Sequence, residues 1–186
     1  MPKQVSGGNT LLAPRLVLEK VGLKEKMTVA DLGCGSSGYF TLVAAEMVGK
    51  RGKVYAVDIL KTALQGVIGR AKMSGVHNII PVWSNLEVPN GAKVIKNNSL
   101  DVALLINILF QSKNHEAILK ETARMTKQRG KVLIVDWEST GAPFGPTIED
   151  RPDKENLKRL AQQQGLKFVE EFAAGQYHFG LIFKKY

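Results

Sequence analysis

The sequence predicts an α/β fold: a doubly wound, mostly parallel sheet of seven strands with helices on both faces. Three observations carry that expectation. Short apolar runs alternate with stripes of apolar residues at helical spacing, the pattern of strands and crossover helices. The run Leu100–Ile106 is apolar except at Asp101, as a parallel strand covered on both faces should be. Finally, Val29-Ala30-Asp31-Leu32-Gly33-Cys34-Gly35-Ser36-Ser37-Gly38 sets a strand, a glycine turn and a helix start in immediate succession.

Residues 11–21 read as a lead-in helix, capped by Asn9 or Thr10, with Pro14 tolerated only in its first turn. The first strand is 27–32. Phe40, Val43, Ala44, Met47 and Val48 then recur at i, i+3, i+4, i+7 and i+8, a helix stopped by Gly49. Strand 53–57 follows, then a helix carrying Leu60, Leu64, Val67, Ile68 and Ala71, then strand 78–82. Residues 84–98 are polar, with Pro89, Gly91 and several asparagines, and read as a loop. The fourth strand leads to a helix at 113–127 and a fifth strand at 131–136. Residues 139–152 hold three of the seven prolines and two glycines just past a strand's carboxyl end, so they are a candidate lid rather than a linker. Asp153 can cap a helix with Leu157, Leu160 and Ala161, ended at Gly165. Strands 166–172 and 177–184 close the chain, which reads as one domain over residues 1–186.

Gly33-Cys34-Gly35-Ser36-Ser37-Gly38 fits G-x-G-x-x-G, a pattern that on its own says little about the ligand. Glycines there let backbone N–H groups approach a bound molecule. Asp31 chooses between ligands. Beside a dinucleotide pyrophosphate its carboxylate would meet like charge, at a cost on the order of kcal/mol for an effective dielectric of about 20. S-adenosylmethionine presents an ammonium and a sulfonium instead, and so reverses the sign. Asp58, closing Val54-Tyr55-Ala56-Val57, suits either ligand because it can accept both ribose hydroxyls. The structural alternatives are a turn-capping role for Asp31 and a helix N-cap for Asp58.

Four segments resemble the class I, Rossmann-like methyltransferases that depend on S-adenosylmethionine. They are Asp31-Leu32-Gly33-Cys34-Gly35, Gly52-Lys53-Val54-Tyr55-Ala56-Val57-Asp58, Asn98-Ser99-Leu100-Asp101-Val102 and Gly130-Lys131-Val132-Leu133-Ile134-Val135-Asp136-Trp137. Within that class the chain is similar to small single-domain enzymes related to the ubiquinone/menaquinone C-methyltransferases. The class usually has glycine at the position of Ser37; here Gly38 follows one residue later. The resemblance implies an antiparallel last strand. It also implies a cofactor site formed by Asp31, Gly33, Cys34, Gly35, Asp58, Ile59, Asn85, Leu86 and Asn107. Asn85 stands where the class usually has an acidic residue for the adenine amino group, and an Asn carbonyl can do the same without charge. An Asx turn is its structural alternative, and a strand-end cap is that of Asn107.

The acceptor side offers Asp136, Trp137 and His178. A carboxylate after the fifth strand could orient or deprotonate an acceptor and Trp137 could wall its pocket. Capping or pairing with Arg151 is the competing role for Asp136. His178, in a strand, is more commonly a structural hydrogen-bonder than a base. No metal site is expected, and the lone Cys34 can form no internal disulfide. No run is apolar enough to span a bilayer and the start has no signal-peptide layout, so a cytoplasmic location is expected.

The net charge of +9 invites a nucleic-acid partner. Yet Lys24, Lys26, Lys50, Arg51, Lys53, Lys93, Lys96, Lys127, Arg129 and Lys131 all precede strands, opposite the end where such sheets bind ligands. A small-molecule acceptor is therefore favoured over nucleic acid. The expected activity is transfer of a methyl group from S-adenosylmethionine to a small or medium-sized acceptor. The alternatives are an RNA or protein methyltransferase, a non-catalytic regulator or partner subunit that binds the cofactor, and last a nicotinamide reductase. The sequence does not indicate an oligomeric state.

Overall fold

The computed structural model describes residues 11–139 and 142–186. Pro14 decides where the first helix, α1 (Pro14–Lys20), begins. Its ring pushes Ala13 into extended backbone, φ −100° and ψ 92°, so no helical turn can precede it. The helix is thus shorter than the expected 11–21, and the expected caps Asn9 and Thr10 lie outside the described residues. Next come β1 (Thr28–Leu32), α2 (Tyr39–Val48), β2 (Lys53–Asp58), α3 (Lys61–Met73), β3 (Ile79–Trp83) and β4 (Leu100–Ile106). The second half supplies α4 (His115–Met125), β5 (Thr126–Trp137), α5 (Lys154–Gln163), β6 (Leu166–Gly175) and β7 (His178–Lys185).

The seven strands form one sheet in the order β3-β2-β1-β4-β5-β7-β6. β7 alone runs antiparallel to its neighbours, beside β5 and β6. One apolar layer joins α1, α2 and α3 to the sheet and includes Leu18, Phe40, Val48 and Val67. The other joins α4 and α5 and includes Leu119, Leu157 and Phe183. The strand order reverses at β1, which pairs with β2 on one side and β4 on the other. A crevice at the carboxyl ends of β1 and β4 follows from that reversal.

The largest departure from expectation among the strands lies at β5. β5 starts at Thr126 rather than Lys131 and so takes the end of the helix expected at 113–127. Leu100 pairs with Thr126 and Val102 already with Lys131. The extra residues bulge out with Arg129 at φ +65°, a bend that one strand's periodicity cannot show. Residues 84–98 form neither helix nor strand, yet they are firmly tied. The Glu121 carboxylate accepts from the Asn90 and Ala92 N–H groups at 3.1 Å each. Arg124, ion-paired to Glu121 at 2.7 Å, donates to the Ile95 and Ala92 carbonyls.

The basic residues sort by strand direction. Lys26, the cluster Lys50, Arg51 and Lys53, and the pair Arg129 and Lys131 lie at the starts of β1, β2 and β5. Asp31, Asp58 and Trp137 lie at the other ends of those strands. Near that end, Lys113 is bound to Asp150, Lys154 to Glu138 and Glu171, and Arg151 to four carbonyls. No helix among the described residues is long and apolar enough to cross a membrane.

Candidate cofactor and acceptor site

The turn after β1 is fixed from below. The Gly33 and Cys34 N–H groups both donate to the Val57 carbonyl, at 2.8 and 3.0 Å. Gly33 sits at φ +87°, and a Cβ there would fall 2.2 Å from the Ile108 side chain. Gly35, at φ +63°, is different: a Cβ on it would meet nothing within 4 Å. Open space therefore faces the turn where a ligand's backbone contacts would form. The Cys34 thiol is buried, and burial together with Asp31 and Asp58 pushes its pKa above the ordinary thiol range. It is no nucleophile.

Asp31 is 2% exposed and accepts one side-chain hydrogen bond, from the Thr41 hydroxyl at 2.6 Å. Burial pushes its pKa up to about 6; the Thr41 bond works against this rise, and the charge of Asp58 adds to it. A dry carboxylate of this kind is poised for a cation. Asp58 accepts from the Gly35 N–H through one oxygen and from the Leu60 N–H through the other, both at 2.9 Å. It thereby joins the glycine turn to the start of α3, whose N-cap residue, Leu60, makes no side-chain cap bond. Each carboxylate oxygen has further lone-pair capacity.

The remaining expected contacts ring this turn. Ile59 is exposed, and its carbonyl accepts from the Trp83 indole N–H at 2.8 Å. Asn85 is exposed and closes an Asx turn onto the Glu87 N–H at 2.9 Å, whereas Leu86 is buried in the core. Asn107 ends β4 at φ +52°, a left-handed conformation that asparagine tolerates. Its N–H donates to the Val135 carbonyl, and its own carbonyl accepts from Gln111 at 2.9 Å.

On the acceptor side the three candidates separate. Asp136 is fully buried and accepts from the Leu109, Phe110 and Trp137 N–H groups, at 3.0, 3.4 and 2.9 Å. It therefore caps the short 3₁₀ turn Leu109–Gln111, and Arg151 is not its partner. Burial outweighs those bonds and holds its pKa up at about 7. Trp137 and His178 face each other across β5 and β7 with rings 4.4 Å apart. Trp137 is 1% exposed but belongs to neither core layer. It is covered by residues 142–151: Phe144 meets it edge-on at 6.1 Å, and the Arg151 guanidinium lies 5.7 Å from it. A Cβ on Gly145, at φ +92°, would come within 2.7 Å of the ring. Arg151 straps the segment down by donating to the carbonyls of Glu138, Ala142, Phe144 and Pro146, at 3.0–3.2 Å.

Thr41, Trp83 and the strap role of Arg151 escape the sequence reading. Thr41 leaves one trace, a polar residue on the apolar face of α2. The described residues contain no group of acidic, histidine and cysteine side chains able to hold a metal.

Comparison with known proteins agrees with this geometry. Residues 23–175 match the sequence profile of a family described as a methyltransferase domain. A demethylmenaquinone methyltransferase from Geobacillus stearothermophilus is 28% identical over 121 residues, 64% of this chain and 49% of that protein. A ubiquinone/menaquinone biosynthesis C-methyltransferase from Laribacter hongkongensis is 26% identical over 149 residues, 78% of this chain and 57% of that protein. The chain thus spans about half the length of the curated relatives it matches. Among solved structures, a SAM dependent methyltransferase from Aquifex aeolicus superposes with a TM-score of 0.84 at 25% identity, covering 95% of this chain and 91% of that one. Open space over Gly35 beside a buried, cation-seeking Asp31 fits the same cofactor, S-adenosylmethionine.

Proposed function

This chain belongs to the methyltransferase-domain family, and we propose that it transfers the methyl group of S-adenosylmethionine to a small acceptor held beneath residues 142–151. The observation that carries the proposal is Asp31: a carboxylate at the switch point, dry, with one hydroxyl partner and a raised pKa. When bound, S-adenosylmethionine supplies a sulfonium methyl open to in-line attack. Asp31 holds the ammonium of its methionine part. Asp58 accepts the ribose hydroxyls while keeping the turn fixed through Gly35. Ile59 and Leu86 border the adenine, and Asn85 accepts its amino hydrogen. Asn107 lies between the methionine end and the acceptor. The strapped segment over Trp137 excludes water and holds the acceptor in line, the main requirement of such a displacement.

A small acceptor suits this end of the sheet better than RNA or protein, because Lys113, Arg151 and Lys154 are already bound to protein groups and Lys61 lies over the Trp83 ring. The two relatives described above act, by name, on demethylmenaquinone and in ubiquinone/menaquinone biosynthesis, which supports a ring-bearing acceptor. The lone, buried Cys34 is consistent with a cytoplasmic setting. A second reading has its own observation. Trp137 and His178 are both covered, as a protein that binds the cofactor and transfers nothing would allow.

One experiment tests both. The purified protein is titrated with S-adenosylmethionine and with NAD in a calorimeter, then incubated with S-adenosylmethionine and pools of metabolites, lipids and RNA while S-adenosylhomocysteine is measured. Binding with turnover on a small molecule is expected. Binding without turnover on any pool selects the second reading, and NAD binding alone overturns both.

A further inference from the structure

We propose that His178 binds the methyl acceptor directly, its imidazole completed by a hydroxyl or carbonyl oxygen of that molecule. The inference rests on the reading of residues 142–151 as the acceptor's cover. His178 is 1% exposed, and neither Nδ1 nor Nε2 has a hydrogen-bond partner. Buried polar groups in folded proteins are nearly always paired, so such a side chain requires a reason. A structural histidine would have one: His115, for comparison, places Nε2 2.9 Å from the Leu109 carbonyl.

Its position supplies the reason. His178 opens β7 opposite Trp137, at the same end of the sheet as Asp31 and Asn107. Trp137 forms one wall, and Phe144 bridges from Trp137 to Tyr177, which it meets edge-on at 5.1 Å. On the other side Gly175 brings bare backbone close to the ring, where a side chain would be crowded. A Cβ there would lie 4.0 Å from Nδ1 of His178, with the Leu11 carbonyl and the Leu12 side chain 3.1 and 3.2 Å away. The ring thus keeps unused hydrogen-bonding capacity beside Trp137, the residue that the strapped segment covers.

The ring acts as a hydrogen-bonding group, not as a base. Burial pushes its pKa down to about 4, and Arg151 adds to the effect, so it is neutral at pH 7. One nitrogen then donates and the other accepts. Such a weakly basic imidazole takes no proton from an alcohol or an amine at neutral pH. The acceptor's nucleophile must therefore be reactive without proton removal by His178.

The test compares wild type with H178F, which keeps a ring of similar size, and H178Q, which keeps a polar end. Ligand-free melting, S-adenosylhomocysteine affinity, and kcat and KM are measured on a panel of hydroxyl- and carbonyl-bearing small molecules. H178F is expected to melt no lower than wild type, since two partnerless nitrogens are gone. It should bind S-adenosylhomocysteine unchanged and raise the acceptor KM by about tenfold or more. H178Q should recover part of that loss. A fall in melting temperature beyond about 4 °C for H178F marks a structural histidine and overturns the inference. So does an unchanged acceptor KM. A wild-type protein that binds S-adenosylhomocysteine yet methylates nothing in the panel overturns the transfer reading and this inference together; failure confined to the variants overturns the inference alone.

Discussion

Raising the pH from 5 to 7 should tighten S-adenosylhomocysteine binding by about tenfold, with Asp31 as the titrating group. S-adenosylhomocysteine retains the ammonium, so binding requires the carboxylate to be ionised. With a pKa raised to about 6, roughly a tenth of the ligand-free protein is ionised at pH 5 and nine-tenths at pH 7. Apparent affinity scales with the competent fraction, which gives the tenfold change, or about 1.4 kcal/mol. Near pH 6 each binding event should release about half a proton. Calorimetry in two buffers of different ionisation enthalpy reads this release directly.

Stability is linked to the same group with the opposite sign. Because folding raises the Asp31 pKa, the folded state holds the proton more tightly than the unfolded chain does. The resulting stabilisation is present below the unfolded value of 3.8 and is lost as the pH rises through about 6. D31N removes the ionising group, so at pH 7 the ligand-free variant should be more stable than wild type by at most about 3 kcal/mol, and melt above it. It should also lose the pH dependence of binding and weaken S-adenosylhomocysteine by roughly 1.5–3 kcal/mol. An affinity flat between pH 5 and 7, with a heat independent of buffer, refutes the assignment of the ammonium to Asp31.

Three further substitutions probe the site. G35A should fold with a loss of about 1 kcal/mol for its left-handed backbone, while calorimetry shows cofactor binding collapse because the new Cβ enters the open space; unchanged binding would place the ligand elsewhere. D58A should weaken S-adenosylhomocysteine by roughly 1–3 kcal/mol and lower the melting temperature, since the Gly35 and Leu60 N–H groups lose their acceptor; a stability loss with intact affinity makes Asp58 a turn-holder only. W137A should depress turnover with cofactor affinity intact and cost less than the roughly 3–5 kcal/mol of a core tryptophan, because the ring packs mainly beneath the covering segment; retained turnover and stability would remove the lid from the mechanism.

The cofactor half of the fold is legible in the sequence because its information is local. Two carboxylates, the three glycines of the turn and the two strands beside it all lie between Thr28 and Asp58, and turn chemistry fixes them within a few residues. What escaped depends on how distant elements are phased. Thr41 reaches Asp31 only because α2 presents that residue to the end of β1. Trp83 holds the Ile59 carbonyl only because β3 lies in register with β2, Trp83 opposite Asp58. The choice between capping and an Arg151 pairing for Asp136 has a simpler resolution. Alternation along β5 sends Val135 and Trp137 to the face of α1–α3, and Ile134 and Asp136 to that of α4 and α5. Arg151 lies with Trp137, on the face away from Asp136.

The acceptor half is illegible for a chemical reason. In-line methyl transfer requires alignment and dryness rather than a fixed covalent set, so its residues carry no motif. On the proposed reading, aromatic rings, a strap of backbone carbonyls and an unpaired imidazole would do this work, and in a sequence they look like core and loop. Trp137 shows the difficulty: at 1% exposure it would pass for core, yet it belongs to neither apolar layer. Its cover depends on a glycine at φ +92° and on one arginine reaching four carbonyls. Such a cover can open by exchanging those four bonds for water, without disturbing either core. That property is what the proposed acceptor site requires of its cover, and it becomes visible only once the chain is folded.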